Sequence, residues 1–234
     1  MTTQTVSSST VKRLITDIKN IHNNPLSKDG IYYKHDETNM LVGYALIIGP
    51  ADTPYAYGNF LFKFDFPANY PHSPPVVSYH MNDGHTRFHP NLYRNSKVCI
   101  SVLNTWKGEQ WTSCQTISSI LLVLCSILDN MPLLNEPGIT KKHVDIDKYN
   151  KIIEYRTISS SICKLISGVL PNDIYDFFKD DIKENFIKNY ENIIEKIQDK
   201  ENQHLVCSIY GLQVKTHYNK LRTDLIKIHK NYID

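Results

Sequence analysis

Apolar positions along the chain change their period several times. From Ser9 to Ile21, the residues Val11, Leu14, Ile15, Ile18 and Ile21 recur every three or four positions, which predicts a helix with one apolar stripe. Asn23-Asn24-Pro25 closes it, because a residue before proline is pushed out of the helical region. The pattern then turns to alternation. MLVGYALIIG at 40–49 and NFLFKFDF at 59–66 predict strands, separated by the turn-rich connector PADTPYAYG. In the second, Phe60, Phe62, Phe64 and Phe66 fall on one face and Leu61, Lys63 and Asp65 on the other, as in a half-solvated antiparallel sheet. A proline-rich stretch at 66–75 leads into a short strand, VVSYH, and residues 81–112 follow no regular period. Irregular segments of this length inside a compact domain are usually functional or disordered. Helical spacing resumes at 114–128. After Pro137-Gly138, three amphipathic stretches (141–167, 173–197 and 201–231) all suit helices, broken by Gly168, Pro171-Asn172 and Gly211.

This order predicts an α+β domain with an all-α extension, divided into a disordered polar tail at 1–9, a core domain at 10–168 and a helical extension at 169–234. A core of roughly 150 residues buries about two-thirds of its surface without a disulfide or metal staple. The 26 basic and 24 acidic residues leave a net charge of +2, which gives no footprint for a nucleic-acid partner. Five scattered cysteines with no CxxC exclude a disulfide framework and a zinc ribbon. The polar N-terminus has no secretory h-region, and the longest apolar run, ILLVLCSIL at 120–128, is too short to span a bilayer. The expectation is a soluble protein of a reducing compartment, cytoplasmic or nuclear, with no membrane partner.

Candidate chemistry gathers in the irregular segment, which contains HPNLYRNSKVCISVLNTW at 89–106. Nucleophilic cysteine chemistry needs an accessible sulfur, something that favours thiolate, and donors for a developing oxyanion. Arg94 and Lys97 precede Cys99 as cations, Asn91 carries an amide donor, and His89 is the nearby base candidate. Taken alone, Cys99 reads more readily as a packed residue of a strand with Val98, Ile100, Val102 and Leu103, since free cysteine is among the most buried residue types.

The wider context decides between these readings. PYAYGNF at 54–60, FPANYPHSPP at 66–75, HPN at 89–91 and VCISVL at 98–103 resemble, in order and in spacing, the ubiquitin-conjugating enzymes (the E2 class). Asn91 precedes Cys99 by eight positions, as in that family's pattern. Two tryptophans, Trp106 and Trp111, the preceding RFHPNLYRN and the closing LLNEPG at 133–138 are similar to the Z-type members, which carry a C-terminal helical extension. The resemblance implies a fold with an N-terminal helix, a four-stranded antiparallel sheet, an active-site segment and further helices.

The resemblance also implies roles. Cys99 is the thioester nucleophile, Asn91 donates to the oxyanion or orders the loop, and His89 with Pro90 holds the turn. Ser101 stands two after the cysteine, where many members have Asp, and Glu136 is the candidate acid that orients a substrate lysine. Tyr55, Tyr70 and Pro74 shape the sheet and its turns. Lys12, Arg13 and Lys19 on the first helix face an activating enzyme, while His72 and Ser113 lie in the two loops that contact ligases. Cys114 and Cys125 are expected in the core. The implied partners are ubiquitin or a ubiquitin-like modifier, its activating enzyme, ligases and protein substrates. No cofactor is implied, since ATP is used by the activating enzyme. A conjugating-like module that binds ubiquitin or a ligase without chemistry is the alternative from another class.

Overall fold

The computed structural model describes residues 6–233. The first helix, α1 (Ser8–Asn23), opens with the Ser7 hydroxyl accepting the Thr10 amide at 3.0 Å, a standard N-cap interaction. The tail expected over 1–9 is therefore too long: Ser8 and Ser9 belong to the first turn, and residues 1–5 lie outside the described residues. The buried stripe of α1 is Thr10, Leu14, Asp17 and Ile21. A carboxylate in that stripe is tolerated because Arg13 pairs with it at 3.0 Å and the Tyr70 hydroxyl donates to it at 2.5 Å.

Four strands follow in meander order, β1 (Ile31–His35), β2 (Val42–Ile48), β3 (Asn59–Asp65) and β4 (Val76–Tyr79), all antiparallel. The residue pattern alone had pointed to the last three. β1, IYYKH, is five residues long and ends in Lys34 and His35, so its alternation is too short to stand out from its polar flanks. The register sets Tyr33, Ala45, Phe62 and Tyr79 side by side on one face. This face packs towards α1 and α2 (Ile117–Ser126), the latter started by a reciprocal capping box between Thr116 and Ser119.

The opposite face departs from the half-solvated reading. Leu46 and Leu61 are both fully buried, because the C-terminal third lies over them. α3 (Ile146–Arg156) runs without a break into a π-helix at Thr157–Lys164. Asn59 donates its side-chain amide to the Ser161 carbonyl at 2.9 Å, and Gly58 lies directly beneath this segment. Further along the sheet, Tyr44 stacks on Phe177 at 4.2 Å between ring centroids, and Lys34 reaches both the Phe177 carbonyl and Asp181. Alternation along a strand reports which side chains share a face, but not what covers that face.

α4 (Lys179–Glu195) fits the expected helix at 173–197. The helix expected over 201–231 does not form as one element. It is a hairpin, β5 (His204–Cys207) and β6 (Leu212–Lys215), followed by α5 (Tyr218–Ile233). Cys207, Leu212 and Val214 are its buried positions, a period of two across a tight turn in which Tyr210 and Gly211 both take positive φ. No helix among the described residues is long and apolar enough to cross a membrane.

Gly58 tests how tightly the C-terminal region packs on the sheet. A Cβ there would lie 2.4 Å from Thr157 Cγ2 and 2.6 Å from Ser161 Oγ. Gly58→Ala is expected to lower unfolding stability by about 1–3 kcal/mol, measured as a shift in the urea midpoint.

Candidate active site

Cys99 is held by its backbone before its side chain does anything. Its amide donates to the Asn91 carbonyl at 2.9 Å, and its carbonyl accepts from Asn91 Nδ2 at 2.5 Å. One asparagine thus satisfies both main-chain groups of the cysteine. Of the two roles open to Asn91, loop ordering is the one this geometry displays, because Nδ2 is engaged by the Cys99 carbonyl. Asn91 Oδ1 is buried without a partner.

The turn that carries Asn91 is fixed from the other side by His89. The imidazole is fully buried, and its Nδ1 accepts the Asn91 amide at 3.0 Å. An accepting Nδ1 places the proton on Nε2, which is buried without a partner. Burial, reinforced by the Arg87 charge, pushes the imidazole down to about 3, so the ring is neutral at physiological pH. Its neighbour is the Tyr55 ring, 6.3 Å away between centroids, and it makes no hydrogen bond to Cys99. His89 is a buried prop of the turn.

The thiol itself is directed at the loop that follows. Cys99 is only 3% exposed, and Sγ donates to the Thr105 carbonyl at 2.7 Å. Thr105 Oγ1 accepts the Ile100 amide at 3.0 Å. Asn104 takes positive φ, and its Oδ1 accepts the Trp111 amide at 2.8 Å. These bonds fold residues 104–110 back over the cysteine while leaving them exposed. Ser101 lies under this loop, where a Cβ at Gly108 would come within 3.2 Å of its hydroxyl. Arg94 and Lys97, expected to favour thiolate, turn elsewhere: Arg94 donates to the Tyr210 carbonyl, and Lys97 lies 5.8 Å from the Tyr93 ring centroid.

The remaining expected residues separate into groups. Lys12 and Lys19 are exposed on α1. Arg13 differs from them. Besides pairing with Asp17, its guanidinium donates to the Ser113 carbonyl at 2.6 Å and to that of Gln115, tying α1 to the loop ahead of α2. Ser113 and Trp111 both donate to the Pro71 carbonyl, at 3.2 and 2.7 Å, and exposed His72 is the next residue. The two loops expected to meet ligases therefore join at one carbonyl. Cys125 is half-buried, but Cys114 is exposed and not in the core, since it precedes the capped helix.

Glu136 has a partner that the sequence offered no way to foresee. Its carboxylate accepts the Tyr210 hydroxyl at the tip of the hairpin, and no hydrogen bond joins it to Cys99 among the described residues. Arg87 lies over Tyr93 at 3.5 Å and Tyr210 at 4.9 Å, and donates to the carbonyls of His89 and Pro90 at 3.2 and 2.5 Å. Contacts therefore run without a gap from the C-terminal hairpin to the turn that holds Cys99. Thr105, Arg87 and Tyr210 are the site residues that sequence reasoning missed. Thr105 stands six positions after Cys99, Arg87 opens the RFHPNLYRN stretch without being singled out, and no motif marks Tyr210.

Residues 13–157 match the family described as "Ubiquitin-conjugating enzyme". The chain belongs to the ubiquitin-conjugating enzyme family. It is similar to "Ubiquitin-conjugating enzyme E2 Z" of Homo sapiens, 40% identical over 162 residues, covering 68% of this chain and 45% of that protein. The Xenopus tropicalis protein of that name is 35% identical over 206 residues, 81% of this chain and 65% of its own length. A dual E2 ubiquitin-conjugating enzyme/E3 ubiquitin-protein ligase of Homo sapiens is 35% identical over 226 residues, covering 86% of this chain and 4% of that protein. The chain thus spans less than two thirds of the length of each. The Z-type resemblance extends past the core, since the Xenopus tropicalis alignment covers 81% of this chain.

His89 makes the turn sensitive to acid. The unfolded imidazole takes up its proton near pH 6.5, whereas the folded one stays neutral down to about pH 3. Stability therefore falls as pH drops between these values, by roughly 1.4 kcal/mol per pH unit from this one group. His89→Gln is expected to remove that share of the slope, read from denaturant unfolding of both proteins between pH 7 and pH 4.5.

Proposed function

We propose that this chain accepts the C-terminus of ubiquitin or a ubiquitin-like modifier as a thioester on Cys99 and passes it to a lysine amine or to a ligase. The observation that carries the reading is the state of the thiol. The backbone of Cys99 is clamped at both polar groups, while the one hydrogen bond of its Sγ goes to the carbonyl of an exposed loop. A fixed backbone with a releasable side chain suits a nucleophile that a flexible protein tail must reach.

In the first step the Cys99 thiolate attacks the carbonyl of a modifier already held as a thioester on an activating enzyme. A carbon–sulfur bond forms to Sγ, and the bond to the donor cysteine breaks, releasing it as thiolate. Loss of the Cys99 proton also removes the hydrogen bond to Thr105 and sets sulfur lone pairs against that carbonyl. Ionisation therefore favours displacement of residues 104–110 and exposure of the nucleophile. In the second step a neutral lysine amine attacks the new thioester, an amide bond forms as the carbon–sulfur bond to Cys99 breaks, Cys99 leaves as thiolate, and the amine proton passes to solvent water. Thioester exchange needs little base catalysis, which agrees with a His89 that is neutral, buried and turned away. Asn91 acts here as a positioning residue. No cofactor is needed on this chain; ATP is consumed in activating the modifier, before this step. Lys12 and Lys19 remain for the activating enzyme, and the junction at Pro71 for a ligase.

The test is incubation with ubiquitin, ATP, Mg²⁺ and a panel of activating enzymes, followed by non-reducing and reducing gels. The wild-type chain is expected to give a thiol-sensitive adduct, Cys99→Ala none, and Cys99→Ser an adduct that survives thiol. No adduct with any modifier would favour the alternative, a non-catalytic module that binds ubiquitin or a ligase. Glu136 is read as an anchor for Tyr210 and not as the acid that orients the lysine. Glu136→Gln is then expected to change discharge of a pre-formed thioester to free lysine by less than about twofold, measured by single-turnover chase. A tenfold or greater loss would assign it the orienting role.

A further inference from the structure

A second concave site lies on the C-terminal third, away from the residues around Cys99. Its volume is about 770 Å³, within the range of small-ligand sites. Five cations line it: Arg156 at the end of α3, Lys164 on the π-helix, Lys215 on β6, and Lys220 and Lys227 on α5. None of the five forms an ion pair among the described residues. The whole chain is nearly neutral, with 26 basic against 24 acidic residues, yet this groove holds five cations against one carboxylate, Asp224. Asp83 is the other acid near Arg156, and it is already engaged by the amides of His85 and Thr86 and by the hydroxyls of Thr86 and Ser160.

Two buried polar atoms of the same lining have no partner. They are Arg156 Nε and the hydroxyl of Ser159, a residue only 8% exposed. A guanidinium N–H and a hydroxyl left unpaired in residues that line a groove with four lysines are donors without an acceptor, and anionic oxygen is the acceptor that suits them. Such like charges held together repel one another unless a counter-charge sits between them. π-helical segments are themselves rare and frequently accompany functional sites.

We propose that this groove binds a small, multiply phosphorylated polyol. The cations come from four elements and surround one concavity, which suits a compact cluster of phosphates better than an extended chain. Asp224 lies between Lys220 and Lys227 on one face of α5, so it opposes an all-phosphate surface and instead accepts from a ligand hydroxyl. This reading does not depend on whether Cys99 carries a modifier.

The test is isothermal titration of the full chain at 0.15 M salt with myo-inositol hexakisphosphate and with tripolyphosphate. One saturable site is expected for the first. Binding should be at least tenfold weaker in the double variant Lys220→Gln/Lys227→Gln and in Lys164→Gln, and weaker for wild type at 0.5 M salt. Lys28→Gln, at an exposed lysine outside the groove, is expected to bind as wild type does. Circular dichroism of each variant checks the fold. Absence of saturable binding, or affinity unchanged in the double variant, would overturn the proposal. So would a doubly phosphorylated peptide binding at least tenfold more tightly than either probe, which would assign the groove to a protein segment.

Discussion

The site depends on the reciprocal pairing of Asn91 with Cys99. The Asn91 carbonyl accepts the Cys99 amide, and the Asn91 side chain donates to the Cys99 carbonyl. Both backbone groups lie in a segment with no ladder of its own, where each buried polar group left unpaired costs about 1–3 kcal/mol. Because one residue satisfies both, the cysteine backbone is fixed without a strand on either side. The setting of the thiol follows from that. The thiol is left to bond a loop carbonyl, and the loop is anchored by Asn104 and Thr105, not by packing.

The C-terminal region is structurally continuous with the sheet and with the turn. It covers the second face of the sheet through Asn59–Ser161, Tyr44–Phe177 and Lys34–Asp181, and the hairpin tip meets the turn through Arg87. An arginine between two tyrosine rings, with its N–H groups on two consecutive carbonyls, joins hairpin and turn by planar, directional contacts that a lysine would not reproduce. The extension thus bears on the geometry of Cys99 without touching it.

Much of this protein was legible in the residue order. Periods of two and of three to four placed α1, β2, β3, β4, α2 and α4, because burial of one face imposes them locally. The interval from Asn91 to Cys99 was legible through the resemblance to a family pattern, and the reciprocal bonds give that spacing its physical reason: they require a fixed length of turn. β1 escaped because five residues carry too little alternation. The hairpin at 204–215 was read as helix because amphipathic charge on either side masked a short period-two run.

The contents of a face lay beyond the sequence. Leu61 was assigned the correct side of its strand, yet whether water or the C-terminal third would cover that face depends on residues a hundred positions later. Arg13 and Lys12 are adjacent and alike in charge, and only the folded loop at Ser113–Gln115 takes one and leaves the other exposed. Glu136 and Tyr210 lie 74 positions apart with no motif to connect them. The sequence by itself determined most of the elements and singled out Cys99 and its spacing from Asn91, since these rest on patterns among near neighbours. The tertiary structure alone decided which charged and polar groups are already engaged, because those partners meet only when distant segments pack.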